Sequence, residues 1–147
     1  MSAATAGYSK KPLAQKLGYK DGQRAAFIAL PRELEELPAS VGFGSLTRLT
    51  DWGGKLPAAL DLIHAFTTKR SELDTRLFAL QKALKPDGAI WISWPKKAAK
   101  VATDVTEDSV REAALRLDLV DVKVAAVNAV WSGLKLVIRK ERRSKDR

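Results

Sequence analysis

The sequence predicts an α/β domain with a mainly parallel, doubly wound sheet that ends in an antiparallel hairpin. Three observations carry this reading. The runs RAAFIAL (24–30), ALDLIHAF (59–66) and AIWISW (89–94) are continuously apolar and short, as strands buried on both faces are. Stretches with a single apolar face lie between the later runs, at the 3–4-residue spacing of helices. Two strand-like runs near the end are separated only by Asn128-Ala129-Val130, a connection short enough for a hairpin. Alternation of strand and helix implies crossover connections, and crossovers make parallel neighbours.

Each element has local reasons. Pro12 suits the first turn of a short helix through Leu13 and Leu17, with Gly18 ending it. Lys20-Asp21-Gly22 is a turn, and Pro31 stops the first strand. Arg32 to Leu37 allows a short helix closed by Pro38. Val41 to Thr50 reads as strand or loop, since Val41 and Phe43 favour a strand and two glycines oppose it. Asp51 to Pro57 is turn material. Ser71 is placed to cap a helix, with Asp74 in a capping-box-like position, and Leu73, Leu77, Leu80 and Leu84 share its apolar face. Lys85-Pro86-Asp87-Gly88 predicts a tight turn before the strand that Pro95 ends. Thr106 caps the next helix, whose first turn carries Glu107 and Asp108 at the positive end of the dipole. Val110, Ala113, Ala114 and Leu117 form its apolar stripe. Strands follow over 120–127 and 131–139. The expected organisation is an N-terminal arm with a short helix (1–23), one α/β domain (24–139) and a basic tail (140–147).

Composition excludes several classes. The chain has 147 residues, no cysteine and a single histidine, His64. Disulfide frameworks, thiolate metal sites, cysteine nucleophiles and histidine-rich metal cages are ruled out. No apolar run approaches the ~20 residues of a membrane span, and the lysine-bearing start has no apolar core of a signal peptide. A cytoplasmic protein with no membrane partner is expected. The formal net charge is +9. Residues 1–23 hold four basic side chains against one acidic, 24–95 nine against eight, and 96–147 thirteen against eight. The excess sits at the two ends, as in chains that meet nucleic acid or another polyanion, or that carry a solvated tail.

The stretch from Leu60 through Leu84-Lys85-Pro86-Asp87-Gly88 to Trp94 resembles the middle of a class I S-adenosylmethionine-dependent methyltransferase. In that family a strand like DLIHAF precedes a helix that ends in an LKPGG-like turn before the next strand. The closing hairpin matches too. The resemblance covers roughly the C-terminal 90 residues. It implies a Rossmann-like, methyltransferase-type sheet, here with a shortened N-terminal half. A second resemblance rests on Ser93-Trp94-Pro95-Lys96-Lys97, Thr103-Asp104-Val105-Thr106-Glu107-Asp108 and Trp131-Ser132-Gly133-Leu134-Lys135. These are similar to a family of small bacterial proteins known only as a domain of unknown function. That likeness implies relatives and no substrate.

The chain departs from the methyltransferase pattern where the cofactor binds. Family members place a glycine-rich loop after the first strand, so that backbone can approach the cofactor. Here the strand runs into Ala29-Leu30-Pro31-Arg32, without glycine, and Pro31 lacks an N–H. Asp51, the nearest acidic residue to the end of the second strand, lies in a turn. No cofactor is therefore expected in the family's usual pose; S-adenosylmethionine stays open through the methyltransferase alternative.

Other motifs carry little. Gly42-Phe43-Gly44 fails as a dinucleotide fingerprint at Thr47, and Gly53-Gly54-Lys55 fails as a P-loop at Leu49 and Leu56. His64 reads as a satisfied, partly buried strand residue. Glu35/Glu36 and Glu107/Asp108 are adjacent in sequence, so on a helix they point apart. The candidate site comes from topology, because ligands collect beyond the carboxyl ends of parallel strands. Trp94, Lys96, Lys97 and Lys100 follow one such strand, and the hairpin tip carries Asn128, Trp131 and Ser132 to the same edge. Indoles stack on planar rings and lysines neutralise phosphates. Lys135 is expected to point outward. The leading expectation is a non-catalytic protein binding an anionic ligand, a nucleotide or nucleic acid, at this edge. The alternatives are a divergent S-adenosylmethionine-dependent methyltransferase and a protein-interaction module.

Overall fold

A computed structural model describes residues 12–143. In chain order the main elements are α1 (Leu13–Lys16), β1 (Arg24–Ile28), β2 (Ser45–Leu49), β3 (Leu60–Phe66), α2 (Arg70–Ala83), β4 (Leu84–Pro95), α3 (Glu107–Leu115), β5 (Leu119–Ala126) and β6 (Trp131–Ile138). Six strands among the described residues form one sheet in the order β2-β1-β3-β4-β6-β5. The four strands β2, β1, β3 and β4 run parallel, while β6 pairs antiparallel with both β4 and β5. The predicted mixed sheet with its closing hairpin is what the chain forms.

Apolar side chains alternate across this sheet and make two cores. Ile63, Ala65, Ile90, Ile92, Trp94, Leu134 and Leu136 meet α2 and α3 through Leu73, Leu77, Leu80, Val110 and Ala114. On the other face, Phe27, Leu62, Phe66 and Trp91 are covered by Leu17, Tyr19, Leu34 and Leu37. The sheet has long helices on one face only. The second is roofed by α1 and by two 3-10 turns, Arg32–Leu34 and Leu37–Ala39, where one short helix was predicted. Leu17 and Tyr19 of the expected arm are thus part of the packed molecule.

Local expectations meet mixed outcomes. The 41–50 ambiguity resolves to a five-residue strand. Gly44 is required by packing, because a Cβ there would stand 2.6 Å from the carbonyl oxygen of Gly22. Thr106 caps α3, in a box completed by Ser109. The expected Ser71 cap is not formed. Helix α2 begins two residues earlier, with Lys69 as N-cap and no side-chain cap of its own. Its first donors are met from outside the helix: Thr67 Oγ1 accepts from Lys69 N at 3.0 Å, and Asp104 Oδ1 from Arg70 N at 2.7 Å. No tight turn forms at Lys85–Gly88 either. The chain passes directly from α2 into β4, Leu84 leaves the helical face, and a register irregularity against β3 takes up the extra residues. No helix of the described residues is long and apolar enough to cross a membrane.

Candidate active site

Parallel strands all present their carboxyl ends on one side, and there the chain must turn away from the sheet. After β1 this turn is made by Ala29, which has φ 56, a left-handed backbone that costs a non-glycine residue energy. Ala29 N still donates to Leu49 O at 2.9 Å, tying the turn to the end of β2. The bend leaves a two-lobed crevice. One lobe, about 300 Å³, lies among Ala29, Leu30, Glu35, Arg48, Leu49 and Thr50. The other, about 220 Å³, shares Ala29 and Thr50 and adds Asp51, Phe66, Thr67, Thr68, Lys69, Glu72 and Trp131.

Each wall has a cause. Asp51 is exposed just beyond β2, and its Oδ1 accepts from Gly53 N at 2.8 Å, which orients the carboxylate. Thr67 continues β3, and its hydroxyl donates to Glu72 in the first turn of α2. Trp131 opens β6; its ring packs edge-on against Phe66, 5.4 Å between centroids, and its Nε1 donates to Glu33 Oε2 at 3.0 Å. That bond ties the start of β6 to the 3-10 turn after β1. Arg48 bonds both carboxylate oxygens of Glu35 at 2.9 Å along the first lobe. The crevice thus offers hydroxyls, oriented carboxylates, an aromatic wall and a small alanine floor.

The seven residues expected to bind ligand reach the same edge without converging. Backbone register pairs Trp94 with Ser132 and Pro95 with Trp131, so the strand end and hairpin tip do meet. Neighbouring residues of a strand face opposite ways, however. Trp94 is 6% exposed and packs in the core beneath the helices, whereas Trp131 belongs to the other face. The two indoles therefore cannot sandwich one ligand. Lys96 is half-buried, with its N donating to Val130 O at 2.7 Å; Lys97 and Lys100 are exposed in a 3-10 turn. Asn128 Oδ1 accepts from Val130 N and Trp131 N, shaping the hairpin tip. Ser132 is half-buried. Of the seven, Trp131 lines the crevice. Ala29, Thr50, Phe66, Thr67 and Thr68 were missed. The rule about carboxyl ends, applied to every parallel strand instead of the last alone, points to all of these positions.

His64 is completely buried, more so than expected. Its Nδ1 lies 2.6 Å from Tyr19 Oη and its Nε2 2.8 Å from Ser93 Oγ, so both ring nitrogens are satisfied. Burial pushes the imidazole down to about 3 and the Tyr19 phenol above its ordinary range. The histidine is neutral and closed off from the crevice, with Phe66 stacked on it at 4.4 Å.

The crevice is a fair match to the nucleoside part of S-adenosylmethionine. The Asp51 carboxylate stands just beyond β2 on the wall of the second lobe, the kind of group that accepts from ribose hydroxyls. The Ala29 methyl and left-handed turn leave open the space that a larger side chain would fill.

Comparison with known proteins agrees at the level of fold. No family model and no curated protein sequence matches the chain, so the expected kinship with a family of small bacterial proteins gains no support. Solved structures do match. A magnesium protoporphyrin IX methyltransferase from Synechocystis PCC 6803 with bound S-adenosylhomocysteine superimposes with a TM-score of 0.60 at 11% identity, over 81% of this chain and 75% of that one. A TehB-like S-adenosylmethionine-dependent methyltransferase from Corynebacterium glutamicum gives 0.57 at 13%, over 92% of both chains. A methyltransferase from Aquifex aeolicus gives 0.58 at 14%, over 86% and 88%. The likeness extends through the N-terminal half, beyond the C-terminal stretch that suggested it. It also corrects two expectations, that the protein is non-catalytic and that it lacks the cofactor. The matched structures include methyltransferases with S-adenosylmethionine or S-adenosylhomocysteine bound, and the absent glycine loop does not set this chain apart from their fold. The chain has the Rossmann-like fold of class I S-adenosylmethionine-dependent methyltransferases.

Proposed function

We propose that the protein is a divergent S-adenosylmethionine-dependent methyltransferase whose cofactor lies in the crevice beyond β1, β2 and β3. The observation that carries this reading is the left-handed turn at Ala29, which opens the crevice directly beneath the oriented Asp51 carboxylate. The cofactor would supply an electrophilic methyl group on a sulfonium. The Asp51 carboxylate would accept hydrogen bonds from the cofactor's ribose hydroxyls, and the Thr50 and Thr68 hydroxyls would serve its polar remainder. Phe66 and Trp131 exclude water from one side, which strengthens every polar contact inside.

The acceptor enters on the side of the hairpin tip. The Lys96–Val130 backbone bond brings the basic loop with Lys97 and Lys100 beside Trp131, so an acceptor with anionic groups suits that approach. This gives the expected anionic partner a place as substrate.

Calorimetric titration with S-adenosylhomocysteine tests the cofactor site. The wild-type protein binds, and Asp51→Asn, which keeps an acceptor for Gly53 N, weakens binding about tenfold or more, as loss of charged hydrogen bonds does. No heat at two temperatures, or unchanged affinity in Asp51→Asn, overturns the reading.

A further inference from the structure

A second set of groups lies well away from the crevice. Lys123 on β5 stands directly opposite Lys135 on β6, and Lys135 in turn lies opposite the fully buried Trp91 of β4. Like charges facing each other across an antiparallel pair destabilise it. Lys20, from the turn before β1, adds a third positive charge to the field at Lys135. Burial, then Lys123 and Lys20, hold the Lys135 ammonium below the ordinary lysine range. Gly18 brings backbone close, since a Cβ there would lie 3.9 Å from Lys135 Nζ. Lys123 Nζ donates to Lys16 O at 2.9 Å, which fixes its position over the end of α1.

Among the described residues no carboxylate forms a salt bridge with Lys16, Lys20, Lys123 or Lys135. The adjacent Asp21 uses Oδ1 to accept from Gly42 N, and Asp121, near Lys123 in sequence, is bound to Arg111. Most other charged clusters are balanced: Arg111 is surrounded by Glu107, Asp108 and Asp121, and Asp118 holds Arg139 and Arg142.

We infer that Lys123 and Lys135 form the centre of a phosphate-binding site on the sheet face opposite the long helices. Two facing ammonium groups, one of them half-buried, suit a dianionic phosphate or successive phosphodiesters. A flexible lysine meets such a group as a point charge that needs no fixed fork geometry. The phosphate comes from a small phosphorylated molecule or from a single-stranded nucleic acid. The site does not depend on the cofactor and is tested without it.

The experiment follows backbone amide shifts of Gly18 and Lys135 by NMR at low salt. Inorganic pyrophosphate and a single-stranded oligonucleotide are added in separate titrations. Saturable shifts at both residues are expected with at least one probe. Lys123→Gln with Lys135→Gln weakens that binding about tenfold or more, whereas Lys55→Ala with Lys82→Ala, two exposed lysines elsewhere, leaves it unchanged. Saturation by pyrophosphate alone identifies a small ligand. Tighter binding of the oligonucleotide, with an affinity that falls steeply as salt rises, identifies a nucleic acid. The double glutamine variant should melt no lower than wild type, because a like-charge pair is removed. If it does not fold, the single Lys135→Gln variant is read in its place. No saturable shift with either probe, or unchanged affinity in the glutamine variant, overturns the proposal.

Discussion

Ala29 shows how one residue kept the proposed cofactor crevice out of the sequence reading. A left-handed turn defaults to glycine, so the glycine-free segment Ala29-Leu30-Pro31 read as a strand end that could not admit a cofactor. Alanine makes the same turn at φ 56 and adds only a methyl group. Ala29→Gly should keep stability within about 1 kcal/mol and keep cofactor affinity, because relief of strain offsets the added freedom of the unfolded chain. Ala29→Val should cost about 2 kcal/mol and weaken binding, since a β-branched side chain resists this backbone and would project beside the crevice. Urea melts and calorimetry check both; a valine variant as stable as wild type would contradict the strained turn. His64 carries a second residue-scale expectation. Its ordinary value of 6.5 applies to the unfolded chain, and burial lowers it to about 3 in the folded one. The unfolded state therefore binds the extra proton between these limits. The stabilisation is complete above pH 6.5 and is lost as pH falls towards 3. Melting temperature should decline on acidification through this window, and His64→Gln should flatten the decline. Should the variant not fold, 15N shifts of the wild-type imidazole must remain those of the neutral ring to well below pH 6. A ring that titrates near pH 6 in the folded protein removes the effect.

Elements were legible where their causes are local. The apolar runs of β1, β3 and β4 announce themselves, and Thr106 signals the start of α3 three residues ahead of Ser109. The start of α2 was misread because its cap is not local: the carboxylate that accepts from Arg70 N belongs to Asp104, 34 residues along the chain. Periodicity and capping patterns contain no trace of such a partner. The two caps can be compared directly. Thr106→Ala and Asp104→Ala should each cost about 1 kcal/mol in chemical denaturation, the usual worth of a helix cap. The second variant should also loosen the contact between the 103–106 loop and the chain after β3, where Thr103 Oγ1 donates to Thr68 O at 2.8 Å. Faster amide exchange at Arg70 in Asp104→Ala alone would mark the remote cap; unchanged exchange would mean that water replaces the carboxylate without penalty. Hairpin register limited the site reading in a similar way. A one-residue change of register swaps the faces of every side chain, so which of Trp94 and Trp131 looks towards the crevice was settled only by the pairing of Pro95 with Trp131.

At the scale of the molecule, the unusual feature is that long helices cover one face of the sheet and short turns the other. Sequence periodicity found α2 and α3 and so predicted the first layer. The second layer was harder to read, because Leu17 and Tyr19 sit in a four-residue helix and its turn, too short to show a period. They are 1% and 4% exposed, and the Leu17 carbonyl accepts from Trp91 Nε1 at 2.7 Å. Tyr19 also supplies the partner of His64 Nδ1. Removing the chain before Gln23 would therefore uncover Phe27, His64 and Trp91 together, leaving a buried imidazole and an indole N–H without their partners. Two large apolar side chains and two buried hydrogen bonds amount to on the order of 5 kcal/mol, comparable with the whole stability of many domains. The shortened protein should lose its cooperative urea transition and bind a hydrophobic dye. A truncated chain that still unfolds cooperatively at the same midpoint would show that the sheet's second face does not need this roof. The N-terminal segment would then be an arm on the domain, as the division expected at residue 23 has it.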